Sequence, residues 1–293
     1  MAAASIPVDL TNPGQVFACL GFLEAACELL GEARGGFDWR HSDDACFRLA
    51  VPGTDDPIAY TLRFLDGAEV KSRAPAGSRN STAKWNVETV TADSHVFPFP
   101  DPGSPATLPA SLEDADGRRL VIDHWGDATR RDNVKFWAGA GGYPGAALAR
   151  DALDLIRGRV MDFAHDPFAL TAEQSSSFRF DWRRDYIPLD VGFSPNAHGD
   201  VTMQGYPVVE LMAAVGLAYA RPFRRSNLEY SYGVAGALAC DLFDPAFLRV
   251  ALGSRQAPFP GLPFRLFAIR LGWPGQEGQA RCITNVTEEF PRP

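Results

Sequence analysis

Hydrophobic positions in this chain recur at two different spacings, and the spacing assigns the elements before any chemistry is considered. Val16, Leu20, Leu23, Cys27 and Leu30 fall at helical intervals behind Asn12-Pro13, an N-cap residue followed by proline at the first helical position. Gly31 follows where a terminating glycine belongs. A second helical pattern runs from Ala146 to Ala164, with Leu148, Ala152, Leu155, Ile156, Val160 and Phe163 on one side. A third apolar helix is expected over Tyr206–Ala220, entered at Pro207, and a short fourth opens at Asp244-Pro245 and ends near Gly253.

Strand character is read elsewhere. Ile6–Leu10 is a short apolar run. From Phe37 to Leu65 the segments "CFRLAV" and "AYTLRFL" alternate on either side of the turn "PGTDDP". "RRLVIDHW" has the same character. "SFRFDWRRDY" alternates strictly, setting Phe178, Phe180 and Trp182 against Arg179, Asp181 and Arg183. "PFRLFAIRLGW" and "GQARCITNV" make a final pair around the hairpin-sized turn "PGQEG". Residues 72–112, rich in Pro, Ser, Ala and Asp, read as one long loop.

Helices and strands interspersed without regular β-α-β-α spacing predict an α+β fold with a mixed or antiparallel sheet. At 293 residues the chain has room for one large domain or two ordinary ones. Residues 1–117 carry 8 basic and 17 acidic side chains, and residues 118–293 carry 20 basic and 19 acidic. That asymmetry suggests an acidic N-terminal region over 1–117, which ends in the 72–112 loop, and a basic-leaning α+β region over 118–293. One continuous domain is equally compatible with it.

Composition narrows the classes. With 46% hydrophobic and 22% charged residues the chain reads as globular. No basic leader and no apolar run of about 20 residues stands out, so no membrane span is expected. Five cysteines without a C-x-x-C pair read as reduced thiols of a cytoplasmic protein. The net charge of −8 argues against a free-standing, sweeping nucleic-acid binder.

The densest stretch is "DHWGDATRRDNVKFWAGAGGYPG", Asp123–Gly145. Its glycines precede a helix, as phosphate-cradling loops do. Yet the Gly-Lys-Ser/Thr ending of a P-loop is missing, and Pro144 stands where a dinucleotide fingerprint needs glycine. Arg130, Arg131 and Lys135 lie beside Trp125 and Trp137, and Arg179, Arg183 and Arg184 flank Trp182. Basic groups beside flat aromatics suit a nucleic-acid backbone with an unstacked base nearby. Equally, Asp123, Asp127, Asp132 and Asp181 can pair with those arginines while the aromatics fill the core. Catalytic constellations are weak: no H-E-x-x-H, no nucleophile elbow and no triad order is present, and no cofactor or metal is expected. An RNA- or nucleotide-processing site would have to use Asp123, His124 and Asp127.

Several segments together resemble one known family. "IPVDLTNPGQVFACLGFLEAA", "DHWGDATRRDNVKFWAGAGGYPGAALARDAL", "QSSSFRFDWRRDYIPLDVGFSPNAH", "GYPVVELMAAVGLAYARP" and "RLGWPGQEGQARCIT" are similar to the Csb-type, large-subunit-like proteins of type I-U (I-G) CRISPR-associated systems. The resemblance implies a non-catalytic subunit of a CRISPR-RNA-guided surveillance (Cascade) complex in antiviral defence, with the architecture of an RNA-guided-complex subunit. Its implied partners are other CRISPR-associated subunits, CRISPR RNA and target DNA, with a helicase-nuclease recruited separately and no membrane. The resemblance transfers no residue roles. On the residues alone, nucleic-acid contact is expected at Arg130, Arg131, Lys135, Trp137, Arg179, Arg183 and Arg184. An architectural subunit without such contact stays open. Full-size large subunits of such complexes are much longer than this chain, so a backbone-like position is open too.

Overall fold

The computed structural model describes residues 1–40, 45–73, 86–90, 110–122, 145–185, 203–236, 242–272 and 282–290. The elements follow in order as β1 (Ala2–Pro7), α1 (Pro13–Leu30), β2 (Arg34–Asp38), β3 (Cys46–Val51), α2 (Pro57–Gly67), β4 (Glu69–Ser72), β5 (Glu88–Thr89), β6 (Ala110–Glu113), β7 (Arg119–Ile122), α3 (Gly145–Ile156), β8 (Ala172–Glu173), β9 (Gln204–Gly205), α4 (Pro207–Tyr219), β10 (Phe223–Arg224), β11 (Glu229–Ala235), α5 (Pro245–Gly253), β12 (Phe264–Gly272) and β13 (Cys282–Glu289). The fold is α+β.

Three small sheets surround a helical centre. One has the order β1-β3-β2, a second β5-β4-β6-β7 and a third β10-β11-β12-β13, and β8 pairs with β9. All described pairings are antiparallel except β4 with β5. Isolated bridges, antiparallel from Gly35 to Phe243 and parallel from Phe37 to Gly236, link β2 to residues that follow β11.

At the centre lies α1. Asn12 caps it by accepting from the Gly14 N–H, Pro13 opens it, and Gly31 closes it at φ 93°. Its apolar residues recur at helical spacing. In the fold every residue from Pro13 to Ala26 is buried, because α4 covers one flank and other elements the rest. An apolar helix surrounded by protein needs no polar face. Its length and hydropathy also match a membrane-crossing helix, but 78% of it is buried inside the fold.

The α1–α4 approach is set by two glycines. A Cβ on Gly21 would lie 1.9 Å from the Met212 carbonyl oxygen, and one on Gly216 would lie 2.2 Å from the Phe17 carbonyl oxygen. The buried core that grows from this pair includes Ile6, Phe47 and Leu112 from one side of residue 117 and Leu148, Val209 and Phe267 from the other. It is continuous across the charge boundary read from the sequence.

Four expectations are corrected. "AYTLRFL" belongs to helix α2, not to a strand. Asp56 caps it through the Ile58 and Ala59 N–H groups, and Ile58, Leu62 and Leu65 then bury at helical spacing. The 146–164 helix ends at Ile156. Gly158 turns out at φ 68°, its N–H donates to the Asp66 carboxylate at 2.7 Å, and a separate 3-10 turn covers Val160–Phe163. The 72–112 segment is not wholly loop, since its described ends and Glu88–Thr89 are strands of one sheet. "SFRFDWRRDY" is not a strand, for reasons given next.

Candidate functional site

Of the seven residues expected to meet nucleic acid, Arg179, Arg183 and Arg184 are described. Arg130, Arg131, Lys135 and Trp137 lie outside the described residues, as do Asp123, His124, Asp127, the glycine-rich turn and "PGQEG".

The Ser177–Asp185 segment fails to form a strand because its own side chains capture its backbone. The Ser177 hydroxyl accepts from the Arg179 N–H, and Asp181 accepts from the Arg183 N–H. Such short-range bonds favour turns over ladder pairing. Arg179 takes φ 63°, the left-handed region, and Trp182–Asp185 closes into a 3-10 turn. Phe178 and Phe180 are both buried and stack with ring centres 5.5 Å apart.

The turn is docked onto two helices by a buried polar node. Asn12 Nδ2 donates to Asp181 Oδ1 at 2.9 Å, while Asn12 Oδ1 caps α1. From α4, the Glu210 carboxyl accepts the N–H groups of Phe180 and Asp181, each at 3.1 Å to Oε1. Asn12, Asp181 and Glu210 are essentially inaccessible. A Cβ on Gly14 would lie 2.5 Å from the Phe180 carbonyl oxygen, so the turn sits directly on the α1 N-terminus. Burial pushes the Glu210 carboxyl up to about 8, against the opposing pull of the two N–H donors.

Arg183 completes the node. It grips both Asp181 oxygens, with Nη2–Oδ2 at 2.6 Å, and donates to the Phe168 carbonyl at 3.1 Å. Its guanidinium lies 3.5 Å above the centre of the Tyr206 ring. Arg184 is 5% exposed and donates to the Gln174 and Ser175 carbonyls. Both arginines therefore brace the turn. The geometry gives them internal partners, and for Arg183 the partner is Asp181, the pairing that the sequence left open beside nucleic-acid contact.

Beside this node runs a groove of about 780 Å³ between Pro7–Thr11, His165–Ala169, Arg183 and Arg265. Its charges are mixed. Gln15 Oε1 accepts the Asp9 N–H at 2.7 Å, and the Asp9 carboxylate accepts from Thr11. Arg265 makes a bidentate pair with Glu288 at 2.7 and 2.5 Å. Cys46 also lines the groove, and burial raises its thiol, so it stays protonated near neutrality and is a poor nucleophile. Among the described residues, no group of three or more His, Cys, Asp or Glu could hold a metal ion. The described lining of the groove offers shape and hydrogen-bonding groups.

Sequence reasoning recognised Asn12 only as a cap and missed Glu210 entirely. The signal for Glu210 was there: it is the one charge inside the apolar helix "PVVELMAAVGLAY". A lone acid at such a position must find partners or stay neutral. Comparison with protein-family models, curated proteins and solved structures finds no match to the chain.

Proposed function

We propose that the chain is a non-catalytic subunit of a CRISPR-RNA-guided surveillance complex in antiviral defence. It works in the cytoplasm beside other CRISPR-associated subunits, with guide RNA and target DNA held in the assembly and a helicase-nuclease recruited separately. The reading starts from the resemblance of five idiosyncratic segments.

The observation that carries it structurally is where three of those segments meet. Asn12, Asp181 and Glu210 come one from each, and they are joined by direct hydrogen bonds in a water-excluded node. Segments that share a family-like wording thus build one scaffold. Asp181, Arg183 and Arg184, which stood out in the sequence, hold the turn in place, as befits a binding or assembly protein.

A purely architectural subunit is the second reading, and one observation favours it: Arg183 and Arg184 are occupied within the fold. The enzymatic alternative rests on Asp123, His124 and Asp127, which lie outside the described residues.

The test is co-expression of the tagged chain with neighbouring CRISPR-associated subunits and a guide array, followed by sequencing of bound RNA. A stoichiometric complex carrying guide-length RNA is the expected result. Recovery of the chain alone, without partners or RNA, would overturn the proposal.

A further inference from the structure

The groove beside the polar node holds two kinds of charge, committed and uncommitted. Ser5 and Pro7 are exposed on the outer face of β1, and Cys46 stands opposite Pro7 on β3, so this sheet face forms the floor. The turns that carry His165, Asp166 and Ala169 form the facing wall. Arg183 and Arg265 reach the lining already paired, with Asp181 at 2.6 Å and Glu288 at 2.5 Å. Arg48, next on the floor face, is not part of the lining, and it faces Asp38 at 4.0 Å.

The carboxylates are placed differently. Asp9 accepts only from its neighbour Thr11. Asp166 makes no side-chain bond among the described residues, and neither acid has a cationic partner there. The uncommitted charges of the lining are therefore both negative. A phosphate would meet them unfavourably, whereas a guanidinium or ammonium supplies the missing counter-charge.

A second feature points to a neutral acceptor on the same ligand. Gln15 on α1 lines the groove and is only 5% exposed. Its Oε1 is taken by the Asp9 N–H at 2.7 Å, while its Nε2 donates to nothing among the described residues. An anionic acceptor at Nε2 would be brought against Asp9, but a peptide carbonyl would not. At about 780 Å³ the groove has room for a long side chain and the backbone on either side of it.

We infer that this groove docks a basic segment of a partner protein, with an arginine or lysine side chain at Asp9 and Asp166 and a backbone carbonyl at the Gln15 amide. Which protein supplies the segment rests on the function proposed above. The preference of the groove for a basic peptide does not.

The experiment uses the full chain and a fluorescein-labelled peptide of alternating glycine and arginine, about eight residues long, at low salt where charge is least screened. Anisotropy should rise as the chain is titrated to about 1 mM, and should stay flat for the matching glycine-glutamate peptide. Asp9→Asn with Asp166→Asn should weaken binding of the arginine peptide about tenfold. Both substitutions keep the shape of the side chain, and asparagine at 9 still offers Thr11 an acceptor, so the thermal melt should match wild type. Glu32→Gln with Glu69→Gln, which removes the same charge from exposed positions outside the groove, should change binding by less than about twofold.

No rise with the wild-type chain, equal binding of the glutamate peptide, or equal losses in both double variants would overturn the inference. Free arginine competing as strongly as unlabelled peptide would also overturn it, by making the groove a small-molecule site. The expected peptide pattern in a chain that fails to assemble with CRISPR-associated subunits would sink the surveillance reading and leave the groove's preference standing. Assembly without that pattern would sink the groove alone.

Discussion

Asn12 and Asp181, 169 positions apart in sequence, share a buried hydrogen bond of 2.9 Å, and that bond ties the start of α1 to the turn that carries Arg183 and Arg184. One amide does two jobs, since its oxygen caps the helix while its nitrogen holds the carboxylate. Removing either partner exposes the other to the desolvation cost of a buried polar group. Asn12→Ala should destabilise the protein by about 2 kcal/mol, more than the roughly 1 kcal/mol of a lost cap alone. A denaturant double-mutant cycle with Asp181→Ala checks this. A coupling below about 0.5 kcal/mol would show that the two side chains act independently.

The α1–α4 crossing should be the least tolerant point in the molecule. With less than 2 Å between a Cβ at Gly21 and the Met212 carbonyl oxygen, the obstacle is backbone, which cannot rotate away. Gly21→Ala should cost at least about 3 kcal/mol, or prevent folding, although alanine is the better helix former. Gly67→Ala is the control. A Cβ there meets nothing within 4 Å, so a denaturation midpoint near wild type is expected.

Stability should fall on both sides of a mildly acidic optimum. Glu210 is raised from its ordinary 4.5 to about 8 by burial, so the folded state holds a proton that the unfolded chain gives up. Its contribution is complete below about pH 4.5 and is lost as pH rises toward 8. Two carboxyls run the other way. Asp38 is lowered to about 2, chiefly by the hydrogen bond from Arg40. Glu113 feels burial most strongly, yet bonds from Ser111 and Arg73 together hold it at about 2. Their contribution is present above their ordinary values and is lost as pH falls toward 2. Unfolding free energies of wild type and Glu210→Gln between about pH 5 and 8 isolate the first effect. The variant should show a flatter decline, and equal slopes would refute the assignment.

Arg249 on α5 meets Glu24 of α1 through two hydrogen bonds of 2.6 and 2.5 Å, with the Tyr219 ring beneath it. Glu24 is nearly inaccessible, so Arg249→Met leaves its charge buried and unpaired. A loss of about 2–3 kcal/mol is expected, with recovery of most of it on adding Glu24→Gln. No recovery would place the effect in the packing of the arginine stem instead.

Arg183 and Arg184 should separate from Arg130 and Arg131 in a nucleic-acid assay of the assembled complex. Arg183→Ala and Arg184→Ala act on the turn, so they should lower the melting temperature without changing the salt slope of target binding. Substituting Arg130 and Arg131 together should lower that slope by about 0.9 for each duplex phosphate they neutralise. An unchanged slope would favour the architectural reading.

How much of the fold was legible in the sequence depends on the range of the signal. The entries of α1, α4 and α5 were readable because Pro13, Pro207 and Pro245 fix the first helical residue, and for α1 the Asn12 side chain also caps the next turn. The last two strands were readable for a similar reason, as long alternating runs. "AYTLRFL" was misread because a seven-residue window satisfies both periods, and the deciding cap, Asp56, lies just outside it. "SFRFDWRRDY" alternates as a strand should. Its conformation is settled by Ser177 and Asp181 bonding to their own backbone, and by Asn12 and Glu210 arriving from distant helices.

The candidate site shows the same division. Sequence alone determined that this chain is α+β, which residues are charged and where they cluster along it. Only the tertiary structure decided which charges are occupied. Arg183 finds its carboxylate two residues away and its ring at Tyr206, whereas Phe223 and Arg255 become neighbours only in the folded chain. Exposure and pairing are properties of three-dimensional proximity, and composition carries no record of them.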